Sequence, residues 1–251
     1  MNLEQLKAKW RSEEQKAFKG WDFSHLDKRW EHQQLPWDYK LIVLNYIKTS
    51  NKLLDMGTGG GEFLLTLNHP HELTSVTEAY PPNVELCKHN LSPLGIEVRQ
   101  VFDNSEIPYQ TDEFDIIINR HEDFDVNEVS RVLKSGGHFI TQQVGGKNNN
   151  DLSAKLIDGF IPQITDYNLK RNINLLQNKG FDILFSDEFF PKIKFFDIGA
   201  LVYFAKIIEW EFPKFSVDSC FENLCELEKE LQKNKLIAGI GHRFVIVAKN
   251  Q

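Results

Sequence analysis

This 251-residue sequence lacks any surplus of positive charge: 29 Lys and Arg stand against 36 Asp and Glu, a formal charge of −7. A surface of that sign exerts no general pull on a nucleic-acid backbone. The nearest basic cluster, Lys7-Ala8-Lys9-Trp10-Arg11, runs straight into Glu13-Glu14 and reads as a solvated helix face. Cysteine is scarce as well. Cys87, Cys220 and Cys225 supply neither a disulfide framework nor a metal-type set of pairs, so reduced thiols in a cytoplasmic protein are expected. No apolar run is long enough to cross a bilayer; the most apolar segment, 193–208, is broken by Lys194, Asp197 and Lys206. Met1-Asn2-Leu3-Glu4-Gln5 lacks the basic-then-apolar pattern of a signal peptide. Internal repeats and low-complexity tracts are missing too. What remains is a globular chain that buries roughly three quarters of its unfolded surface and needs no covalent staple.

The most informative stretch that is present is 53–63, Leu-Leu-Asp-Met-Gly-Thr-Gly-Gly-Gly-Glu-Phe. An apolar run leads into Asp55, glycines fall at 57, 59, 60 and 61, and a helical pattern follows at once. That order reads as a buried strand, a glycine turn and a helix N-terminus. Glycines accept positive φ and let a ligand lie directly on the backbone. Two ligands compete for such a turn, a dinucleotide and S-adenosylmethionine. A dinucleotide needs a third glycine at the helix start, where its pyrophosphate sits. Here Glu62 stands there, and its carboxylate would repel a diphosphate. S-adenosylmethionine carries no phosphate and meets no such objection.

Helices are expected at about 2–19 and 38–49, with an irregular, Trp-rich stretch (Trp21, Trp30, Trp37) at 20–38. From 52 onward strand and helix alternate, the signature of a mostly parallel sheet. Strands are expected near 52–56, 73–78, 96–102, 115–119, 138–144, 181–189 and 242–249. Helices are expected near 61–68, after Pro82, and near 125–133, 151–159, 167–178, 197–209 and 217–234. The predicted architecture is α/β: a doubly wound, seven-stranded, mostly parallel sheet. Residues 1–49 form a helical cap, 50–191 and 237–251 the core, and 192–236 a helical insertion over the acceptor site.

Glu78 ends the second strand, where a carboxylate can accept hydrogen bonds from both ribose hydroxyls. Ala79 and Tyr80 follow, and Tyr80 suits an adenine face. Asp103-Asn104 follow the third strand and could bond the adenine edge, although both residue types also favour ordinary turns.

The spacing Asp55-x-Gly57-x-Gly59-x-Gly61 resembles the first motif of class I S-adenosylmethionine-dependent methyltransferases of the broad small-molecule type. The resemblance runs over about 50–145, through Glu78, Asp103, Phe114–Ile118 and Arg131-Val132-Leu133-Lys134-Ser135-Gly136-Gly137, where the family often has proline in place of Ser135. It implies a Rossmann-like fold, S-adenosylmethionine as cofactor and transfer of its methyl group. It places Gly57 and Gly59 by the methionine moiety, Glu78 by the ribose, Asp103 and Asn104 by the adenine, and the Asn119 backbone near the donor's amino group.

On the acceptor side, Asn119-Arg120-His121-Glu122-Asp123 leaves the fourth strand at the carboxyl edge, where open α/β sheets bind ligands. His121 is a candidate general base because its unperturbed pKa lies near neutrality; a hydrogen-bonded loop histidine is the plain alternative. The last strand should run antiparallel, which brings His242 and Arg243 to the same edge, and Arg243 could pair with an acidic acceptor. One of Gln142 and Gln143 should face the pocket by strand alternation. Aromatic residues crowd 21–39 and 195–212, where they either pack a core or line an apolar acceptor pocket. Glu122 and Asp123 lack ordered metal-ligand spacing, so no metal is expected.

No Asn/Asp-Pro-Pro-Tyr follows the fourth strand, and no cysteine lies near strands four or five. These absences argue against amino-methylation of nucleic-acid bases and against a covalent pyrimidine mechanism. The expected partner is a small molecule, with neither nucleic acid nor membrane, and the oligomeric state stays open. An RNA methyltransferase of the same fold, a non-catalytic S-adenosylmethionine-binding protein and a nicotinamide dehydrogenase remain the alternatives.

Overall fold

The computed structural model describes residues 2–18 and 23–251; Trp21 lies outside them. In chain order the helices are α1 (Leu3–Glu14), α2 (Tyr39–Tyr46), α3 (Glu62–Leu65), α4 (Pro81–Asn90), α5 (Val126–Val132), α6 (Asn150–Leu156), α7 (Leu169–Asn178), α8 (Ile198–Ile207) and α9 (Phe221–Asn234). The strands are β1 (Trp30–His32), β2 (Leu53–Met56), β3 (Thr74–Glu78), β4 (Glu97–Gln100), β5 (Phe114–Arg120), β6 (Leu133–Val144), β7 (Phe181–Phe189), β8 (Lys192–Phe195), β9 (Ile237–Ile240) and β10 (Arg243–Asn250). The chain folds as two compact units, one of 1–35, 146–165 and 190–242, the other of 36–145, 166–189 and 243–251.

The second unit holds a seven-stranded sheet of order β4-β3-β2-β5-β6-β10-β7. Its pairings from β4 through β6 are parallel, and β10 runs antiparallel to both β6 and β7. All four residues of β2 are buried, as are most of β5. Strands covered on both faces must be apolar throughout, which is why they read as continuous runs. Side-chain alternation sorts these residues into two layers. Ile116, Ile118, Ile140, Val245 and Val247 pack with Tyr39 and Val43 of α2 and with Cys87 of α4. Ile117, Phe139, Phe244 and Ile246 pack on the opposite face with Val129 and Val132 of α5 and Leu176 of α7.

Local chemistry sets the helix starts. Pro81 and Pro82 open α4, where a missing N–H costs nothing. The Asp125 side chain accepts the Asn127 and Glu128 N–H groups at the head of α5, and Asn168 accepts the Arg171 N–H at the head of α7.

The first unit contains α1, α6, α8, α9 and an antiparallel sheet of order β1-β8-β9. Trp10, Leu26, Phe195 and Phe212 are fully buried in its core. Arg29 grips Asp197 with Nε and Nη2 at 2.8 and 2.6 Å, and Asp197 in turn caps α8 by accepting the Ala200 N–H at 2.8 Å. That cap splits the apolar segment 193–208 into β8 and α8. The irregular reading of 20–38 omits β1, a strand of three residues. Among the described residues no helix is long and apolar enough to cross a membrane.

Candidate active site

At the carboxyl end of β2 the chain turns through Gly57, Gly59 and Gly61, whose φ values are +69°, +65° and +85°. Only glycine adopts that region freely. A Cβ on Gly57 would lie 2.5 Å from Cβ and Cγ of Glu122, and one on Gly61 would lie 2.6 Å from a methyl of Leu91. The Gly57 and Thr58 N–H groups both donate to the Thr77 carbonyl, at 3.0 and 3.2 Å, which ties the turn to β3. Gly61 also heads α3.

Glu78 meets the turn from the end of β3. Its buried carboxylate accepts the Gly59 N–H at 2.8 Å through Oε2, and the Ala79 and Tyr80 N–H groups at 3.0 Å through Oε1. A carboxylate has about four acceptor positions, so three backbone donors leave it room for a further hydroxyl. The Cys87 thiol donates to the Gly59 carbonyl at 2.7 Å.

Asp55 is buried beneath the turn and accepts from the Thr58 hydroxyl at 2.7 Å. Burial raises its pKa to about 7, opposed by the Thr58 hydrogen bond and Arg120 and reinforced by the charge of Glu78. The folded state therefore holds a proton that the unfolded chain releases near pH 4. Stability should fall as pH rises from about 4 to about 7 and level off above that window. Asp55→Asn should flatten this dependence in thermal melts of the ligand-free protein. An unchanged slope would remove Asp55 as its source.

One strand further out, Asp103 lies exposed and accepts the Ser105 N–H and hydroxyl at 2.8 and 2.7 Å, bonds that hold its pKa below the usual carboxylate range. Asn104 donates to the Asp123 carbonyl at 3.0 Å. Between these residues and β4 stands Phe102, 87 % exposed, and Tyr80 is 62 % exposed. Because Glu78 is paired with Gln100, the two rings follow their strands at equal offsets. Sequence reasoning passed over Phe102; the available signal was a large apolar residue directly before a polar pair at a strand end.

Asn119 is fully buried near the end of β5. The Tyr39 hydroxyl accepts its N–H at 3.2 Å and lies 3.1 and 2.9 Å from the Asn119 and Ile140 carbonyls, to one of which it donates. The Asn119 side-chain oxygen accepts from Thr141 and Gln143, while its Nδ2 is buried with no partner. Gln142 and Gln143 diverge as alternation requires: Gln143 turns to Asn119, and Gln142 accepts the Trp37 indole N–H at 2.8 Å.

His121 follows β5 with φ +66°, an uncommon conformation for a non-glycine residue. Its N–H donates to the Gln142 carbonyl at 2.8 Å, and its Nε2 lies 3.0 Å from Gln142 Nε2. The Arg120 guanidinium stands 4.4 Å above the Phe63 ring. Arg243 opens β10 opposite Val144, at the carboxyl end of β6. Desolvation of the ring, then the charges of Arg243 and Arg120, depress the His121 imidazole to about 3, although the residue as a whole is exposed. It is neutral at physiological pH. His242, by contrast, belongs to the other unit, where it stacks on Phe190 with ring centroids 4.5 Å apart.

The sheet edge thus gathers Asp55, the glycine turn, Glu78 and Ala79 through direct contacts. Asp103 and Asn104 follow one strand outward, and Asn119, His121 and Arg243 lie across the adjoining strands. Two depressions lie elsewhere, one lined by Leu64, His69, His71 and Ile96, the other by Lys52, Gln110, Glu113 and Lys134 at the amino ends of the strands.

Residues 54–141 match the family model described as a methyltransferase domain. That stretch, about a third of the chain, is similar to methyltransferase domains, and the sheet it helps to build is the Rossmann-like sheet of class I enzymes. Enzymes of this class take their methyl group from S-adenosylmethionine. The BH2331 protein of Bacillus halodurans C-125 shares 16 % identity, with 84 % of this chain and 97 % of that one covered and a TM-score of 0.57. The YcgJ protein of Bacillus subtilis shares 16 %, over 85 % and 98 % of the two chains, with a TM-score of 0.56. Geranyl diphosphate C-methyltransferase of Streptomyces coelicolor A3(2), solved with Mg2+, geranyl diphosphate and S-adenosyl-L-homocysteine, shares 11 %, over 85 % and 77 %, with a TM-score of 0.52. At such identities the likeness is one of fold. No curated protein matches the sequence.

Proposed function

We propose that this chain moves the methyl group of S-adenosylmethionine to a small-molecule acceptor at the carboxyl edge of the sheet. The observation that carries the donor site is the turn at Gly57, where φ is +69° and no Cβ fits, set beside the carboxylate of Glu78. Asp55, Gly57, Gly59 and Gly61 take the methionine end, Glu78 and Ala79 the ribose, and Phe102, Asp103 and Asn104 the adenine, with the Asn119 segment by the donor's amino group. When bound, the donor supplies a methyl carbon made electrophilic by its sulfonium. The protein's work is to align the acceptor with it, and well-oriented pairs gain about 7–11 kcal/mol over free encounter. A small acceptor is favoured by the net charge of −7 and by the lack of a dense Lys/Arg cluster.

Phe102→Ala should leave thermal stability unchanged, because the ring is 87 % exposed in the ligand-free protein. It should still weaken donor binding, since base-aromatic stacking contributes about 1–3 kcal/mol. Equal calorimetric affinity in the two proteins would move the adenine elsewhere. The overall reading is tested with isotopically labelled donor offered to panels of small acids, amines, thiols and phenols, and to bulk RNA. Label in a small acceptor supports it. Label only in RNA, with steep salt dependence, replaces it by the RNA-modifying alternative.

A further inference from the structure

An indole N–H donates and cannot accept, and this asymmetry orients three side chains in sequence. Trp37 Nε1 donates to Gln142 Oε1 at 2.8 Å. The opposite placing of the Gln142 amide would set its NH2 against the indole N–H, so the oxygen must face Trp37. The amide NH2 then faces His121, with Gln142 Nε2 3.0 Å from His121 Nε2. An amide NH2 also only donates. His121 Nε2 is therefore the lone-pair nitrogen, and in the neutral ring the proton sits on Nδ1.

The backbone holds this arrangement in place. Arg120 is paired with Gln142 across β5 and β6, and the His121 N–H bonds the Gln142 carbonyl at 2.8 Å. The φ of +66° at His121 marks a conformation held against local preference, the kind of strain that clusters at functional sites. Nδ1 has no hydrogen-bond partner among the described residues, and His121 retains solvent exposure. Beside it, the Arg120 guanidinium offers only donors and stands over the Phe63 ring, its charge also felt by Asp55.

We propose that Trp37 and Gln142 are positioning residues that fix His121 as a hydrogen-bond donor through Nδ1–H, and that His121 with Arg120 receives an anionic oxygen of the methyl acceptor. This rests on the reading of the sheet edge as a methyl-transfer site. An anionic oxygen brings its own lone pairs and asks His121 to remove no proton. That suits an imidazole whose acceptor nitrogen is already committed to Gln142. Desolvation and the charges of Arg243 and Arg120, which lower the imidazole pKa to about 3, keep the ring in the neutral form that the hydrogen bonds require.

The test is long-range 1H–15N correlation of His121 in the labelled full chain, assigned by His121→Gln. The expected signature is one neutral tautomer protonated on Nδ1, unchanged from about pH 5.5 to 8. Acetate and inorganic phosphate are then titrated separately. The anion class that matches the acceptor shifts the Nδ1 resonance, and Arg120→Gln weakens that response at least about fivefold. Gln142→Glu replaces the donor by a carboxylate, which should draw the proton to Nε2 and raise the imidazole pKa. Trp37→Phe should release the amide and give mixed tautomers. Neither signature follows from mere loss of packing. A wild-type ring protonated on Nε2, or titrating near 6.5, overturns the proposal; so does an Nδ1 resonance indifferent to both anions. These spectra need no turnover. Failure to bind the methyl donor in calorimetry would defeat the methyl-transfer reading and leave the tautomer as found.

Discussion

Replacing Gly57 by valine should weaken S-adenosylmethionine binding by a factor between about 30 and several thousand. Two costs combine. A non-glycine residue in the left-handed region costs about 1–2 kcal/mol, and Gly57 sits at φ +69°. The added Cβ would also lie 2.5 Å from two carbons of Glu122, and overpacking of that kind costs about 1–3 kcal/mol. At 1.4 kcal/mol per tenfold change the sum gives the stated range. The turn can escape only by moving, and its backbone is the proposed floor of the methionine pocket. Calorimetry with the donor, beside circular dichroism to establish folding, decides the matter. A folded variant that binds within threefold of wild type would take the donor off this turn.

Glu78→Ala should reduce both donor affinity and stability. The carboxylate is the acceptor for three N–H groups, those of Gly59, Ala79 and Tyr80, which link the glycine turn to the end of β3. A hydrogen bond to a charged partner contributes about 1.5–3 kcal/mol. The three are not additive, and water can reach a site opened by truncation, so about 2–4 kcal/mol of unfolding free energy is the expected loss. Donor affinity should fall by more than tenfold, because the ribose loses its acceptor while the turn loses its tether. Glu78→Gln keeps one acceptor oxygen and should fall between the two. Denaturant unfolding and donor titration measure the pair of effects. A Glu78→Ala protein matching wild type in both would leave the carboxylate without a role.

The glycine turn was legible in the sequence because its demand is local. Positive φ at 57, 59 and 61 favours glycine at each of those positions from the backbone alone. The parallel strands were legible for a related reason: two-sided burial forces apolar runs such as Ile116-Ile117-Ile118, and the Pro81-Pro82 and Asp125 starts are written in one or two residues each. The smaller sheet was not legible. Its strands span three or four residues, too few for a period to emerge, and Trp30 finds its partner at Phe195, far along the chain.

Residue identity alone made Asp55, Glu78, His121 and Arg243 candidates, since carboxylates, imidazoles and guanidiniums at strand ends carry chemistry in any fold of this kind. What each group does there was decided by neighbours brought in from elsewhere. Burial lifts Asp55 to about 7, and desolvation together with the charges of Arg243 on β10 and of Arg120 next to it in the chain keeps His121 uncharged. A tryptophan and a glutamine 105 positions apart determine which imidazole nitrogen carries the proton. Backbone conformation and burial pattern are short-range demands that a linear sequence records directly. Protonation and hydrogen-bond direction depend on charges and donors only a few ångströms away in space, and the folded chain alone assembles them.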